Sequence, residues 1–158
     1  MKKYLRTFLF IGLCISFSYS FSQKNADTAK ANKEALATLN GYSAALQEHD
    51  ISKAISYLSK TKDFLAYDNG KAMNCEEFTA AIKTAFTQIK KTVVRYDTFY
   101  VRNIVENAVL ITGSFHQNVT DANNKEFDFD VTASFVVIKG DGEWKLTYST
   151  VVSRLVSN

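Results

Sequence analysis

The sequence contains no proline, no internal repeat of the length that builds solenoids and no low-complexity linker. A repeat architecture is therefore excluded, because such folds need one supersecondary unit to recur along the chain. Without a linker, the chain offers no point at which it would divide into two domains. We expect a single domain with one core.

Cysteine and histidine are also scarce. The cysteines are Cys14 and Cys75, and the histidines are His49 and His116. Cys14 lies in a segment that we expect to be removed, so Cys75 remains alone and an internal disulfide bond is excluded. Two histidines without a cysteine partner or an HExxH-like spacing do not indicate a metal site. We predict no metal and no cofactor.

The N-terminal residues have the features of a secretory signal peptide. The basic start MKKYLRT is followed by the apolar run FLFIGLCISFSY and by small residues at Ser20 and Ser22. This run is shorter than the roughly 20 apolar residues that span a bilayer. We expect cleavage after Ser22, so that residues 1–22 are the signal peptide and residues 23–158 form a secreted or periplasmic domain without a stable membrane anchor.

Removal of this segment changes the charge balance. The formal net charge falls from +3 to 0, because Lys2, Lys3 and Arg6 are lost and no acidic residue is lost with them. A domain without net charge has no electrostatic footprint for nucleic acid or for an anionic membrane. We therefore expect no nucleic-acid partner.

Two helices are predicted at the start of the domain. Leu36, Leu39 and Leu46 recur at helical spacing within a segment from Ala29 to Glu48. Asp50 then has the position and chemistry of an N-cap for a second, short helix.

A hairpin and a third helix follow. The Asp-Asn-Gly turn in KDFLAYDNGKAM predicts a β-hairpin over residues 62–73. Asn74 and Glu77 form a capping-box pattern, and the helix CEEFTAAIKTAFTQIKK is expected to end with Lys90 and Lys91.

The rest of the chain predicts four strands. The segments TVVRYDTFYVRNI, NAVLITGSFHQNV, EFDFDVTASFVVIK and EWKLTYSTVVSRL are rich in β-branched and aromatic residues and are separated by turn-like stretches. Successive strands of this length indicate an antiparallel meander. The predicted fold class is α+β, with three helices of the N-terminal half covering one face of a curved sheet.

This order of elements resembles the NTF2-like superfamily, in particular its SnoaL-like and DUF4440-type members. The resemblance rests on Asp50, on DFLAYDNGKAMNCEEF from Asp63 to Phe78 and on FVVIKGDGEWKL from Phe135 to Leu146. It covers nearly the whole mature chain. It implies a cone-shaped barrel with a pocket between sheet and helices, and often a homodimer through the outer sheet face. It implies no single function, because the superfamily holds isomerases, dehydratases, cyclases, epoxide hydrolases, binding modules and assembly domains.

Strand alternation predicts which side chains face the helices. The predicted inner set is Phe127, Phe129, Val131, Ala133, Phe135 and Val137, with Val109, Ile111, Gly113 and Phe115, and with Trp144, Leu146, Tyr148 and Thr150. The predicted outer set is His116, Asp128, Asp130 and Lys145. The inner wall is thus expected to be aromatic and aliphatic.

A wall of this kind favours binding over catalysis. Enzymes of the superfamily carry titratable groups inside the cone, and where many relatives have histidines after the tryptophan this sequence has Tyr148 and Thr150. We predict no catalytic residue. His116 with Asp128 or Asp130 could form a base–carboxylate pair, but a solvated sheet face is the simpler interpretation. The candidate ligand-binding residues are Tyr42, Tyr57, Phe64, Phe115, Phe129, Trp144 and Tyr148.

The sequence therefore favours a domain that binds a small, largely apolar or aromatic molecule. Two alternatives stay open. One is an isomerase, dehydratase or cyclase with Tyr42 or Tyr148 as hydrogen-bond donor and an aspartate as base. The other is an association module that forms a homodimer through the outer sheet face.

Overall fold

The computed structural model describes residues 27–156 of the chain. The predicted signal peptide, residues 1–22, lies outside them. In chain order the elements are α1 (27–47), α2 (Ile51–Ser56), β1 (Leu65–Asp68), β2 (Lys71–Met73), α3 (Cys75–Gln88), β3 (Ile89–Val105), β4 (Ala108–Asp121), β5 (Glu126–Gly140) and β6 (Glu143–Leu155). No helix in residues 27–156 is long and apolar enough to cross a membrane.

Helix α1 buries one face against the sheet. Its buried residues include Ala35, Leu39, Tyr42 and Ala45, which are spaced three or four positions apart and so share one side. The helix is terminated by the turn that follows it, in which His49 has a left-handed φ of 57°. The backbone N–H of the next residue donates to the carbonyl oxygen of Ala45 at 2.9 Å, as in a Schellman cap.

The predicted second helix and the predicted hairpin are both present. Asp50 caps α2 by accepting a hydrogen bond from the backbone N–H of Lys53 at 2.9 Å. Asn69 and Gly70 both have positive φ angles, 47° and 87°, as a two-residue hairpin turn requires. This turn joins β1 to β2 in an antiparallel pair.

Helix α3 begins as predicted and ends earlier than predicted. The capping box is complete, with Asn74 and Glu77 each accepting a backbone hydrogen bond from the other at 2.9 Å. The expectation that the helix runs through Lys91 is wrong, because Ile89 already has the extended angles φ −104° and ψ 124°. Ile89 pairs with Asp121 of β4, so strand pairing overrides the helical periodicity in the last three residues.

The sheet has six strands in the order β2-β1-β6-β5-β4-β3. Strands β3 to β6 form the predicted antiparallel meander. Strand β1 pairs with β6 in parallel, which the sequence analysis does not anticipate. The sheet is curved and unclosed, and the predicted α+β class with helices from the N-terminal half is confirmed.

Strand alternation holds along β4, β5 and the first part of β6. Val109, Ile111, Val137 and Leu146 are essentially inaccessible to solvent, and Val131 and Ala133 are nearly so. Apart from Val131, these side chains form the core cluster together with the inner side of α1. Burial of this apolar layer supplies most of the driving force for folding.

In the pairing of β5 with β6 the alternation breaks at Thr147. Val136 pairs with Tyr148 while Val137 pairs with Leu146, so Thr147 is an extra residue in β6 and forms a β-bulge. Beyond this bulge, the residues of β6 that simple alternation places on the inner face lie on the outer face, and the reverse. Ser149 is buried at 2 % exposure, whereas the Tyr148 ring packs at a tilt against Tyr67 of β1, with centroids 6.4 Å apart, away from the core. The prediction that Tyr148 and Thr150 face inward is wrong for this reason.

Candidate functional site

A cavity of about 170 Å³ lies between the helices and the inner face of the sheet. Six aromatic side chains line it, namely Tyr42, Phe78, Tyr96, Phe99, Phe115 and Phe135. Five aliphatic side chains complete the apolar wall, namely Leu39, Leu46, Val94, Leu146 and Val151. A cavity of roughly 150 Å³ lined in this way holds a molecule the size of benzene, so this one has room for a single ring with a short substituent.

Strand β3 brings two of these rings into the cavity through a second bulge. Tyr96 pairs with Phe115 and Thr98 pairs with Ser114, which leaves Asp97 as the extra residue. Phe99 pairs with Gly113, so Tyr96 and Phe99 face the same side although they are three positions apart. Their ring centroids lie 5.1 Å apart, and the Tyr96 ring lies 5.9 Å from the Phe115 ring.

Gly113 makes this arrangement possible. A Cβ atom at this position would overlap the carbonyl oxygen of Thr98 and would lie 2.6 Å from Cδ1 of Phe99. A side chain at position 113 would therefore push the Phe99 ring away from the wall of the cavity. The glycine is required by the close approach of β3 rather than by an unusual φ angle.

The polar groups of the wall are all uncharged. They come from Ser43, Thr92, Gln117 and Ser149 and from the two tyrosines Tyr42 and Tyr96. The Tyr96 hydroxyl and the Ser43 hydroxyl form a hydrogen bond with each other. Burial raises the pKa of Tyr42 well above its ordinary value, so its hydroxyl keeps its proton and can donate a hydrogen bond.

Ser149 stands out among these polar groups. It is 2 % exposed, and within residues 27–156 its Oγ atom is buried without a hydrogen-bond partner. Buried hydroxyls are normally satisfied, because an unpaired one costs free energy. The position of Ser149 on the cavity wall makes it a polar group that a bound molecule can satisfy.

A cluster of polar and charged side chains, His116, Asp130 and Arg154, lies on the outer face of the sheet. His116 Nδ1 is 2.8 Å from Asp130 Oδ1, and its Nε2 is 3.6 Å from Asp97 Oδ2. Arg154 lies 3.0 Å from the other oxygen of Asp130. The hydrogen bond from Arg154, with a smaller contribution from His116, lowers the pKa of the Asp130 carboxyl.

This location bears on the catalytic alternatives. Asp128, the other aspartate considered as a base, also lies on the outer face and accepts a hydrogen bond from Asn118 at 2.9 Å. Within the part of the chain that the structure describes, no Asp, Glu, His, Lys or Arg lines the cavity. The same residues contain no cluster of His, Cys, Asp and Glu arranged to hold a metal ion. An acid–base mechanism in this cavity therefore has no general base on the described wall.

Of the seven predicted ligand-binding residues, Tyr42 and Phe115 line the cavity. Phe64 and Trp144 belong to the core but not to the described cavity lining. The Phe64 ring packs on Phe78 at 5.6 Å, and the Trp144 N–H donates to Glu34 of α1 at 2.9 Å. That hydrogen bond lowers the pKa of Glu34 and joins α1 to the β5–β6 hairpin.

The other three lie away from the cavity. The Tyr57 hydroxyl rests against α1 at Gly41. Phe129 is half-buried and is not among the lining residues. Tyr148 faces outward because of the bulge at Thr147. Whether any of the seven binds a ligand stays a prediction.

Several lining residues escape the sequence analysis. Ser149 is missed because the bulge that turns it inward has no marker in the sequence. Tyr96 and Phe99 are missed for the same reason, since their shared side depends on the bulge at Asp97. Gln117 continues the alternation of Phe115 along β4, and extending the predicted inner set by one step would have found it.

Comparisons with known proteins agree with this geometry. The sequence profile of the SnoaL-like domain matches residues 35–153. No curated protein gives a significant match.

Solved structures provide further similarities. An NTF2-like superfamily protein from Salmonella enterica serovar Typhimurium is 12% identical with a TM-score of 0.70, covering 82% of this chain and 94% of its own. A structure from Xanthomonas campestris, named as a candidate calcium/calmodulin-dependent protein kinase II association domain, is 19% identical with a TM-score of 0.67, covering 77% and 86%. A hexachlorocyclohexane dehydrochlorinase is 9% identical with a TM-score of 0.65, covering 83% and 95%. At these identities the likeness concerns the fold alone.

Proposed function

Because the chain belongs to the SnoaL-like domain family, which has the NTF2-like fold, we propose that it binds a small, largely apolar molecule in the cavity between α1 and the sheet. The resemblance inferred from the sequence is thereby confirmed. Proteins of this fold include enzymes, such as the dehydrochlorinase above, so the function of this chain depends on its own cavity.

The observation that carries the proposal is the composition of the cavity wall. Aromatic and aliphatic side chains make up most of it, and the polar atoms are uncharged hydroxyls and one amide. Ligand pockets are typically apolar with a few polar groups that orient the ligand. An apolar ring buried here would lose water contacts on both partners, and this loss favours binding.

Thermal shift tests the proposal. The mature domain is screened against a library of apolar and aromatic metabolites, with two matched variants. Val94 lines the cavity, so Val94→Phe places a ring inside it. Val93 is the neighbouring residue and is 42 % exposed, so Val93→Phe adds the same ring on the solvent side. We expect one or more compounds to raise the Tm of the wild type and of Val93→Phe, and to leave that of Val94→Phe unchanged.

Two results would overturn the proposal. In the first, no compound stabilises the wild type, and a ligand-free structure shows the cavity closed around its own side chains. In the second, stabilisation survives in Val94→Phe, which would place the bound compound elsewhere on the protein.

The enzymatic alternative has weaker support. An isomerase, dehydratase or cyclase would find a hydrogen-bond donor in Tyr42, but Asp128 and Asp130 lie on the other side of the sheet. Binding of an apolar molecule requires only apolar and hydrogen-bonding groups, and the described wall has both. For this reason binding is the preferred function.

A homodimer through the outer sheet face is a second proposal. Exposed apolar side chains on that face support it, including Tyr100 at 61 % and Val152 at 58 %. Size-exclusion chromatography with light scattering at micromolar concentration should give the mass of a dimer. A monomer mass at that concentration contradicts the proposal.

Export is the third element of the proposed function. It is supported by the basic start and the short apolar run of residues 1–22. Expression of the full chain should yield a secreted or periplasmic protein whose intact mass corresponds to a start at Gln23. A cytoplasmic product that keeps Met1 would contradict it.

A further inference from the structure

We infer that Ser149 is the polar anchor of the cavity and that the bound molecule is a neutral single-ring compound with a carbonyl or hydroxyl group. This inference rests on the proposed binding function and narrows it to one ligand class. According to this inference, pure hydrocarbons bind more weakly than neutral carbonyl or hydroxyl compounds of the same size. Carboxylates and charged amines are not ligands of the cavity.

The first argument is the state of the Ser149 hydroxyl. Its Oγ atom is buried and lacks a hydrogen-bond partner among residues 27–156, and the residue belongs to the cavity wall. A hydroxyl can both donate and accept, so either a carbonyl or a hydroxyl on the ligand can satisfy it. A bound hydrocarbon would leave the Ser149 hydroxyl unpaired and would also exclude water from the cavity, and this weakens hydrocarbon binding.

The second argument is the position of Ser149 in the sheet. It lies on β6 opposite Phe135 of β5 and opposite Ala66 of β1, in the interior of the sheet. Its neighbours on the wall, Phe135, Leu146 and Val151, are apolar. A ligand that reaches Ser149 therefore places its ring among these side chains.

The third argument separates Ser149 from the other polar groups. The Tyr96 and Ser43 hydroxyls satisfy each other. Gln117 lies opposite Phe129, and Thr92 lies opposite Val119, which pairs with Phe127. Both are well along the sheet from Phe135, which pairs with Ser149. A small ligand with one polar group therefore has Ser149 as its partner in the interior of the sheet, and the buried Tyr42 hydroxyl is the additional donor on the helix side.

The fourth argument concerns charge. The described part of the wall supplies no charged side chain. A carboxylate or an ammonium group would lose its hydration without gaining a counter-charge, and this cost is larger than the gain from one hydrogen bond. The cavity volume of about 170 Å³ limits the neutral ligand to one ring and a short substituent.

Three probes of nearly equal size test the inference: ethylbenzene, acetophenone and benzoate. Their dissociation constants are measured by NMR titration on the wild type, on Ser149→Ala and on Thr150→Ala. Thr150 is the next residue on β6 and faces outward, opposite Ser134 and Tyr67, so its variant controls for the loss of a hydroxyl from this strand.

We expect the wild type and Thr150→Ala to bind acetophenone about tenfold more tightly than ethylbenzene, which is the value of one good hydrogen bond. Benzoate should bind more weakly than either. In Ser149→Ala the preference for acetophenone should fall to near one. The same variant without ligand should melt about 4 °C higher than the wild type, because an unpaired buried hydroxyl has been removed.

The possible failures are distinguishable. If ethylbenzene and acetophenone bind the wild type equally, or if the preference for acetophenone persists in Ser149→Ala, the role of Ser149 as polar anchor is overturned. The proposed binding function is not affected by either result. Tighter binding of benzoate than of acetophenone overturns the neutral ligand class. If none of the three probes binds the wild type, the inference is overturned, whereas the proposed binding function is overturned only when the whole library also fails to stabilise the domain in the thermal-shift experiment.

Discussion

The inner and outer faces of strands β4 to β6 are built from alternating residues of the same segments, yet their chemistry is opposite. The inner face presents Phe115, Phe135 and Ser149 to a cavity whose described wall carries no charge. The outer face brings His116, Asp130 and Arg154 together in a polar cluster in contact with water, in which Arg154 forms an ion pair with Asp130. The cavity and this His-Asp-Arg cluster therefore lie on different sides of one sheet.

This separation indicates what each face contributes. Apolar burial on the inner side stabilises the fold in proportion to the area removed from water. Ion pairs on the outer side are screened by solvent and contribute little each. Substitutions on the inner face should accordingly have large effects on stability, and those on the outer face small ones.

The largest effect is expected where β3 and β4 approach most closely. Gly113→Ala should lower the free energy of unfolding by about 3 kcal/mol, because the new methyl group meets backbone of β3 that does not move as a side chain would. Gly140→Ala is the matched control, since no atom lies within 4 Å of its added Cβ. Urea denaturation measures both. Equal stability of the two variants would contradict the close approach.

A second substitution compares the two faces with identical chemistry. Val137→Ala removes two methyl groups from a fully buried position on the inner face and should cost about 2 kcal/mol. Val152→Ala removes the same atoms from the outer face and should change stability by less than about 0.5 kcal/mol. Similar losses in the two variants would show that the outer face is covered in solution, as a dimer would cover it.

The smallest effect is expected in the outer cluster, and it depends on pH. The pKa of Asp130 is lowered by folding, so its contribution to stability is present above its unfolded pKa, about 3.9, and is lost as the pH falls through the folded value. The urea midpoint of Asp130→Asn should therefore lie slightly below that of the wild type near neutral pH and approach it in acid.

Arg154→Gln completes this test. The hydrogen bond from Arg154 is the largest cause of the shift, so this variant should show most of the same dependence on pH. In the Arg154→Gln background, the further change Asp130→Asn should have less effect than it has alone. A pH-independent difference between Asp130→Asn and the wild type would rule out the ion pair as its origin.

Much of the fold could be predicted from local pattern. The capping box at Asn74, the Asn-Gly turn and the helical spacing on α1 each have a physical cause within a few residues, and each is present in the structure. The end of α3 was harder, because Ile89 to Lys91 fit a helix locally. Their pairing with β4, a long-range interaction, decides the outcome.

The site was less predictable for a similar reason. Alternation placed Phe115 correctly, and it placed His116 and Asp130 on the outer face. It could not reveal the bulge at Thr147, which exchanges Tyr148 for Ser149 on the cavity wall. Alternation gives the face of a side chain but not its position along the sheet, so it does not show that Trp144 lies outside the described cavity lining, where its N–H donates to Glu34.

The most direct test of the account follows methyl NMR signals during a titration with ethylbenzene. Val94 and Val151 line the cavity, whereas their neighbours Val93 and Val152 are exposed on the outer face of the same strands. The account predicts that the methyl signals of Val94 and Val151 shift with a common dissociation constant and that those of Val93 and Val152 do not. Shifts confined to Val93 and Val152 would contradict it, and so would the absence of any shift.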